Sequence, residues 1–268
     1  MRPVPVLMYH HVAPHPGDTV TVTPEVFEGQ MRHLAESGYR TLKLSELMAY
    51  ISGDLQLREP AVVVTFDDGW LDNYLYAYPA LQRYGINATI FLVTGRMEQA
   101  SERPVSPLPA SVPSHNASKA LIQQDAADKV VLTWDMAREM ASSGLVEFHS
   151  HTVSHLKCHE LPEEVLRREI IDSKRVMEER LGTPTPYFCW PYGKYTEKGV
   201  QIASEAGYKA IFTVEPGVVL PGSDPFHIGR IVTKDSVSWF RSKLRIYTNG
   251  LLARSYLWFR ETKSKVMR

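Results

Sequence analysis

The sequence of 268 residues has little cysteine, no excess of charge and no long hydrophobic run. Its two cysteines, Cys158 and Cys189, are too few for a disulfide framework, and their spacing matches no zinc ribbon. Thirty basic residues balance thirty acidic ones, so the overall charge gives no indication of a nucleic-acid partner. No apolar stretch approaches the roughly 18 residues that a membrane span needs, so we expect none.

The N-terminal residues also lack the features of a secretory signal. A single charge, Arg2, precedes a short apolar run that is too brief for the hydrophobic region of a signal peptide. No small-residue cleavage site follows this run. We therefore expect a cytoplasmic protein, unless a leader peptide precedes the sequence.

Short apolar segments alternate with helical patterns along the chain. The seven predicted strands are residues 4–9, 61–66, 88–93, 145–148, 186–190, 209–214 and 228–232. Helix signals separate them, such as the Thr23-Pro24 start of one helix and the Gly182 end of another. Strands that alternate with helices pair in parallel, and about seven such units favour an α/β barrel over an open sheet.

We assign residues 1–237 to the barrel, as a single domain. Within it, residues 97–130 carry four prolines and several serines. This composition indicates an insertion between barrel elements. The sequence leaves open whether this insertion is a surface loop or a lid over the reactive rim.

Residues 238–268 form a basic and aromatic tail. From residue 241 to the end there are eight Lys or Arg residues and one acid, Glu261. Phe240, Leu244, Tyr247 and Leu251 share one face of a predicted amphipathic helix. Such a helix is typical of peripheral contact with an anionic membrane, which would place the protein at the inner face of the membrane. Packing against the barrel explains the same pattern equally well.

Two adjacent carboxylates follow a predicted buried strand. The motif is Thr65-Phe66-Asp67-Asp68-Gly69, and it directly follows three valines. Both acids therefore emerge at the carboxyl end of a strand, which is the reactive rim of a parallel barrel. Adjacent acids repel each other unless a cation neutralises one of them. Taken alone, the motif fits a simple turn equally well.

Two histidines follow another short strand. The motif is Ser150-His151-Thr152-Val153-Ser154-His155. Imidazoles at this spacing can meet on one face and form a two-nitrogen metal clamp, although a solvated histidine pair is the alternative for this motif alone. His149, Cys158 and His159 lie nearby and are poorer ligand candidates by spacing.

Together, the two motifs indicate a catalytic metal centre. Asp68, His151 and His155 supply three protein ligands, a number that leaves positions open for water and substrate. Asp67 is then free to deprotonate a water molecule, and it is the candidate general base.

The pairing of residues 65–69 with residues 151–155 resembles the polysaccharide deacetylase family, also known as carbohydrate esterase family 4. The resemblance covers most of residues 4–232, including 7–12, 23–39, 88–91 and 132–134. It implies a distorted (β/α)₇ barrel and a hydrolase that removes an N-acyl group, usually acetyl, from an amino sugar. It also implies a divalent metal ion. Zn²⁺ is the first candidate, and Co²⁺, Ni²⁺ and Mn²⁺ are the alternatives.

The resemblance assigns the same base and the same three ligands as the chemistry does. It further matches Trp190, Pro191 and Tyr192 to a wall of the substrate groove. In the family, the backbone N–H of the residue matching Tyr192 helps to stabilise the oxyanion.

The sequence departs from the commonest family pattern at two places. Cys189 stands where the third motif begins with arginine, and no late Leu-x-His strand supplies the usual acid. Both departures resemble the poly-N-acetylglucosamine deacetylases, in which the last strand is moved to the N-terminus. There His10 becomes the candidate acid for the leaving amine, with a structural imidazole as the alternative. Arg230 is a candidate to orient Asp67, with a surface or core-pairing arginine as its alternative.

Three functions are compatible with these residues. The first is removal of an N-acyl group from an amino sugar in a glycan or glycolipid. The second is deformylation or deacetylation of a monosaccharide on a lipid carrier, which a pocket roofed by residues 97–130 would favour. The third is a glycan-binding module with impaired catalysis, for which Cys189 in place of arginine is the argument. The sequence does not indicate an oligomeric state.

Overall fold

The chain folds around a curled sheet of short, mostly parallel strands. This computed structural model describes residues 2–253 and residue 255. The strands are β1 (Val4–Tyr9), β2 (His11–Val12), β3 (Thr21–Val22), β4 (Arg40–Thr41), β5 (Ala61–Phe66), β6 (Ala88–Leu92), β7 (Val146–Ser150), β8 (Tyr187–Cys189), β9 (Ala210–Phe212), β10 (Val218–Val219) and β11 (Ile231–Val232).

Helices surround this sheet. They are α1 (Pro24–Glu36), α2 (Leu44–Ser52), α3 (Tyr78–Tyr84), α4 (Thr94–Glu102), α5 (His115–Gln123), α6 (Trp134–Ser142), α7 (Glu163–Leu181), α8 (Glu197–Glu205) and α9 (Val237–Tyr247). A π-helical turn, Asn73–Ala77, precedes α3. None of the helices in the described part of the chain is long and apolar enough to cross a bilayer.

The strand pairing runs round the sheet and returns to its start. β1 pairs in parallel with β5, and the order continues through β6, β7, β8 and β9. A parallel bridge joins Phe212 at the end of β9 to Ile228, and β11 then pairs in parallel with β1. The seven predicted strands thus form the seven strands of the barrel wall, and the distorted (β/α)₇ barrel is confirmed.

The strands of the barrel are buried because helices cover the outside of the barrel and side chains fill the inside. Every residue of β1, β5 and β6 is buried. Such strands read as continuous apolar runs rich in β-branched residues, as in the Ala-Val-Val-Val-Thr-Phe sequence of β5. Since the strands of the barrel are parallel, their carboxyl ends meet at one rim.

Most predicted helix ends are confirmed. The Thr133 side chain accepts a hydrogen bond from the Met136 amide at the start of α6, and Gly182 ends α7 in the left-handed conformation. The expected hydroxyl cap of α1 is wrong in one respect. The Thr23 hydroxyl donates to Asp235 and does not cap the helix, so this residue joins α1 to the segment before α9.

Residues 97–130 contain more regular structure than a loop. The first residues belong to α4, which begins at Thr94, and α5 and a short 3₁₀ turn (Ala127–Lys129) follow. The four prolines all fall between α4 and α5, where residues 103–114 are irregular. Proline lacks the amide hydrogen that a helix interior needs, so the break between the two helices lies where the prolines are.

The predicted amphipathic helix of the tail is present as α9, and it packs against the barrel. Phe240, Leu244 and Tyr247 are buried in the same apolar core as residues of α1. Leu251, which the sequence places on the same face, is 83% exposed. Residue 254 and residues 256–268 lie outside the described part of the chain, and with them most of the second half of the predicted face.

Candidate active site

The predicted site residues lie close together at the carboxyl ends of the barrel strands. Asp67 and Asp68 follow β5, His151 follows β7, and His10 follows β1. These four residues, together with His155 and Tyr192, line one cavity of about 300 Å³. Arg230, Pro191 and Trp190 are buried. Arg230 contacts Asp67, and the other two directly precede Tyr192 in the chain. The parallel topology alone therefore gathers side chains that are up to 182 positions apart in the sequence (10 to 192).

The backbone around the cavity adopts unusual conformations. Residues with a left-handed φ that are not glycine cluster here: Asp68, Thr152, His155 and Tyr192. Each such residue costs on the order of 1–3 kcal/mol, and such strain is typical of functional sites. Gly69 also has a positive φ, and a Cβ atom there would lie 2.6 Å from the Leu92 side chain. A side chain at this position would be strained and would displace Leu92, so glycine is favoured in the turn that presents the two acids.

Asp68, His151 and His155 form a cluster of suitable metal ligands. Their ligand atoms all lie within 4.8 Å of one another. The Asp68 Oδ1 atom is 3.1 Å from His155 Nε2 and 4.0 Å from His151 Nε2. His151 donates from Nδ1 to the Cys189 carbonyl oxygen at 2.8 Å, which leaves its Nε2 lone pair directed to the cluster.

The protonation states of these ligands suit a cation. Burial lowers the pKa of His151, and it lowers that of His155 to about 4, so both imidazoles are neutral near pH 7. Burial opposes the charge of Asp68, but at the acidic pH where this carboxyl titrates His155 is protonated, and its charge together with that of Arg96 holds the pKa of Asp68 well below its usual range. One carboxylate and two neutral imidazoles are a donor set that Zn²⁺ and related divalent ions accept.

A second group of three, Asp67, His151 and Cys189, is also close enough to hold an ion. Arg230 already occupies this place. Its guanidinium nitrogens lie 2.7 Å from each Asp67 oxygen, and Nη2 lies 3.0 Å from Cys189 Sγ. A metal bound there would face this cation in direct contact, so the group around Asp68 is the better metal site.

Asp67 and Arg230 form a buried, bidentate ion pair. Both residues are 2% exposed or less, and Arg230 also donates to Thr65 Oγ1 and to the Thr213 carbonyl. Burial alone would raise the pKa of Asp67, but the charge and hydrogen bonds of Arg230 lower it below its usual value. The carboxylate is therefore ionised and fixed in orientation.

Cys189 lies beside this pair, where the commonest family pattern has an arginine. Burial raises the pKa of its thiol well above the usual value, so the sulfur is protonated and neutral. Sγ lies 3.9 Å from both Asp67 oxygens. The small thiol leaves space for Arg230, which reaches the same carboxylate from the segment before β11.

His10 and His11 point in different directions. His10 is 21% exposed, lines the cavity, and has its Nε2 atom 3.8 Å from Asp67 Oδ2. His11 is buried and donates from Nδ1 to Asp72 at 2.5 Å. This difference agrees with the alternation of side chains along an extended segment.

The third motif forms one wall of the cavity. Tyr192 is 53% exposed, and its ring lies 4.7 Å from that of His155 between centroids. Trp190 is buried and packs against Phe188 and Tyr195, so it supports this wall from behind. Pro191 is buried as well.

Eight residues that line the cavity were missed by the sequence interpretation, among them Trp70, Arg96 and His115. Trp70 donates from Nε1 to Asp68 Oδ2 at 3.1 Å, and Arg96 lies 3.4 Å from Asp68 Oδ1. His115 reaches the cavity from α5. Trp70 directly follows the acidic motif and Arg96 follows β6, so their positions after strand ends were available signals. For His115, in the proline-rich segment, no sequence signal existed.

Comparison with known proteins agrees with this geometry. The sequence model of the polysaccharide deacetylase family matches residues 54–211. YxkH of Bacillus subtilis (strain 168), named as a polysaccharide deacetylase, is 29% identical over 235 residues, which are 88% of this chain and 73% of that protein. The poly-β-1,6-N-acetyl-D-glucosamine N-deacetylase of Staphylococcus aureus (strain MSSA476) is 26% identical over 225 residues, 80% of this chain and 68% of that protein.

Solved structures show the same fold. The Streptococcus pyogenes deacetylase PplD, in complex with acetate, superposes with a TM-score of 0.75 at 25% identity, over 90% of this chain and 98% of that one. IcaB from Ammonifex degensii gives a TM-score of 0.73 at 23% identity, over 93% and 98% of the two chains. The family match covers more than half of the sequence, and the chain therefore belongs to the polysaccharide deacetylase family.

Proposed function

We propose that this protein is a metal-dependent hydrolase that removes an N-acyl group, normally acetyl, from an amino sugar of a glycan or glycolipid. The observation that carries the proposal is the pairing of two different carboxylates at one cavity. Asp68 lies with two neutral histidines in a metal-binding arrangement, and Asp67 is held apart from that arrangement by Arg230. One acid is thereby left for the metal and the other for proton transfer.

Asp68, His151 and His155 would hold the metal. When bound, a divalent ion such as Zn²⁺, or Co²⁺, Ni²⁺ or Mn²⁺ in its place, supplies a Lewis acid and lowers the pKa of water toward neutrality. The ionised Asp67 accepts the proton of the attacking water. Arg230 keeps this carboxylate charged and correctly oriented while it does so.

Two further groups complete the proposed reaction. The backbone N–H of Tyr192, in its left-handed turn, donates to the oxyanion that forms on the acyl carbon. His10 donates a proton to the amine as the carbon–nitrogen bond breaks. Its position supports this role, because it lines the cavity and its Nε2 atom lies 3.8 Å from Asp67.

A direct test is acyl release from defined amino sugars. Metal-supplemented protein is incubated with β-1,4- and β-1,6-linked N-acetylglucosamine oligomers, with lipid-linked N-acetylglucosamine and with the N-formyl counterparts of each, and acetate, formate and free amine are measured. We expect acetate and free amine in equal amounts, and loss of both in Asp67→Asn. Absence of acyl release from every substrate in the set would contradict the proposal.

A lipid-linked or otherwise single amino sugar is the second candidate substrate. The observation that favours it is the position of α5, which contributes His115, Lys119, Ile122 and Gln123 to the cavity wall. This helix belongs to residues 97–130, and it forms part of the wall of a cavity of about 300 Å³. The argument for a binding module without catalysis is weaker, because Arg230 provides the contact to Asp67 that an arginine at position 189 would make.

We also propose that the exposed side of α9 contacts an anionic surface, consistent with a cytoplasmic protein at the inner face of the membrane. Arg241 and Arg245 border a shallow groove on this helix. Burial, followed by the charges of these two arginines, lowers the pKa of the neighbouring His33. Because the apolar side of α9 is used in the protein core, such contact would be mainly electrostatic.

A further inference from the structure

The helix α5 presents a basic face to the mouth of the cavity. His115, Lys119, Ile122 and Gln123 follow each other at helical spacing, and all four line the cavity. Lys119 is exposed and forms no ion pair with any residue that the structure describes. The proposed reaction gives no role to this helix, which belongs to none of the predicted motifs.

A buried hydrogen-bond chain fixes α5 in this position. Asp72 accepts from His11 Nδ1 at 2.5 Å, and His11 Nε2 lies 3.1 Å from His115 Nδ1. Asp72 also accepts from the Val12 amide and the Asn73 side chain, so the carboxylate is fully committed. A neutral His11 that donates from Nδ1 to Asp72 accepts at Nε2 from His115 Nδ1, so the Nε2 atom of a neutral His115 is an acceptor. His115 therefore anchors α5 and is not itself a donor to an anion.

The charges at the cavity are unevenly compensated. Asp67 is neutralised by Arg230, and Asp68 lies 3.4 Å from Arg96 even before any metal is considered. The positive charge of Lys119 is not balanced in this way. Binding of a negatively charged ligand group at the mouth of the cavity, beside α5, would therefore be favoured.

We propose that Lys119, on the helix that His115 anchors, forms a subsite for an oxyanion substituent of the substrate, such as a phosphate, a phosphodiester or a carboxylate. The amino sugar that enters the cavity then carries a negative charge near the reacting amide. Arg96 also lines the cavity, but its charge is paired with Asp68. This inference rests on the proposed deacylase function and specifies its substrate class.

The test compares the binding of three sugars by calorimetry: N-acetylglucosamine, N-acetylglucosamine 1-phosphate and N-acetylmuramic acid. Chelator-treated protein is used, so that phosphate cannot bind through a metal. We expect the better of the two anionic sugars to bind roughly 5–20-fold more tightly than the neutral one, between the strength of an exposed ion pair and that of a charge-assisted hydrogen bond. Which anionic sugar binds more tightly distinguishes phosphate from carboxylate.

Lys119→Gln should remove most of this preference, and added salt should reduce it in wild-type protein. Lys129→Gln is the matched control, because it makes the same charge change in the neighbouring 3₁₀ turn, outside the cavity lining. We expect this control to keep the wild-type preference. Equal binding of all three sugars, or equal weakening of neutral and anionic sugars in Lys119→Gln, would overturn the subsite.

Failure of the subsite and failure of the deacylase function give different results. Metal-loaded wild-type protein that releases acetate from neutral oligomers, with no anion preference in binding, contradicts only the subsite. Protein that releases no acyl group from any sugar contradicts the function, while the binding ratio still decides for or against the subsite.

Discussion

Asp67 stays charged inside the protein because Arg230 is buried with it. Each Asp67 oxygen accepts a hydrogen bond of 2.7 Å from one guanidinium nitrogen. Attraction between two buried charges is strong, but each charge alone is expensive to remove from water. The pair is thus best judged by what happens when one member is removed.

We predict that Arg230→Gln destabilises the protein by about 3–5 kcal/mol, because it leaves the Asp67 carboxylate buried without its cation. Urea-induced unfolding measures this change. Restoring neutrality with Asp67→Asn in the same protein should recover part of the lost stability, since no uncompensated charge then remains.

Arg138→Gln provides the control for this measurement. Arg138 pairs with Asp135 at the surface, where an ion pair contributes about 0–1 kcal/mol. If Arg230→Gln were no more destabilising than Arg138→Gln, the Asp67–Arg230 pair would not stabilise the protein as a buried ion pair.

Single residues differ in how far the sequence could predict them. The positions of Asp67, Asp68, His151 and His155 followed from strand ends and motif spacing. Arg230 could only be named as a candidate, because its contact with Asp67 spans 163 positions and depends on closure of the barrel. The contacts of His115 depend on how α5 folds over the rim, which no local pattern encodes.

At the scale of elements, α9 shows what a helical pattern does and does not determine. The spacing of its apolar residues correctly predicted a helix with one apolar face. It did not indicate whether lipid or protein covers that face, since either environment favours the same spacing. The structure places Phe240, Leu244 and Tyr247 against the core.

We predict that Leu244→Ala lowers the free energy of unfolding by about 2–5 kcal/mol, because it removes a fully buried side chain from the core shared with α1. Leu251→Ala, at an exposed position of the same tail, should change it by no more than about 0.5 kcal/mol. Equal effects in chemical denaturation would mean that α9 is not part of the core.

The exposed side of α9 makes a separate prediction about membranes. We expect binding to vesicles that contain anionic lipid, weakening as salt rises because the attraction is Coulombic. The double variant Arg241→Gln/Arg245→Gln should bind less in a sedimentation assay, whereas Arg167→Gln/Arg168→Gln on α7 should not. If the full-length protein does not bind to anionic vesicles at low salt, the membrane proposal is refuted.

At the scale of the whole molecule, the order of the strands determines the site. The N-terminal strand β1 lies between β5 and β11, so it completes a ring whose other members come from residues 61–232. The count and alternation of strands predicted such a barrel from the sequence. The pairing that closes the ring was not predictable from periodicity, because β11 is only two residues long and the bridge at Ile228 is isolated.

The most direct test of the account is to measure bound metal and turnover together in three proteins. Wild type should bind one divalent metal per chain and release acetate from an N-acetylated amino sugar. Asp68→Asn should lose metal affinity and turnover together. Asp67→Asn should retain the metal and lose turnover by about 10²–10⁴-fold, the usual contribution of a general base. Asp67→Asn protein that keeps near-wild-type turnover, or Asp68→Asn protein that keeps its metal, would contradict the assignment of the two carboxylates.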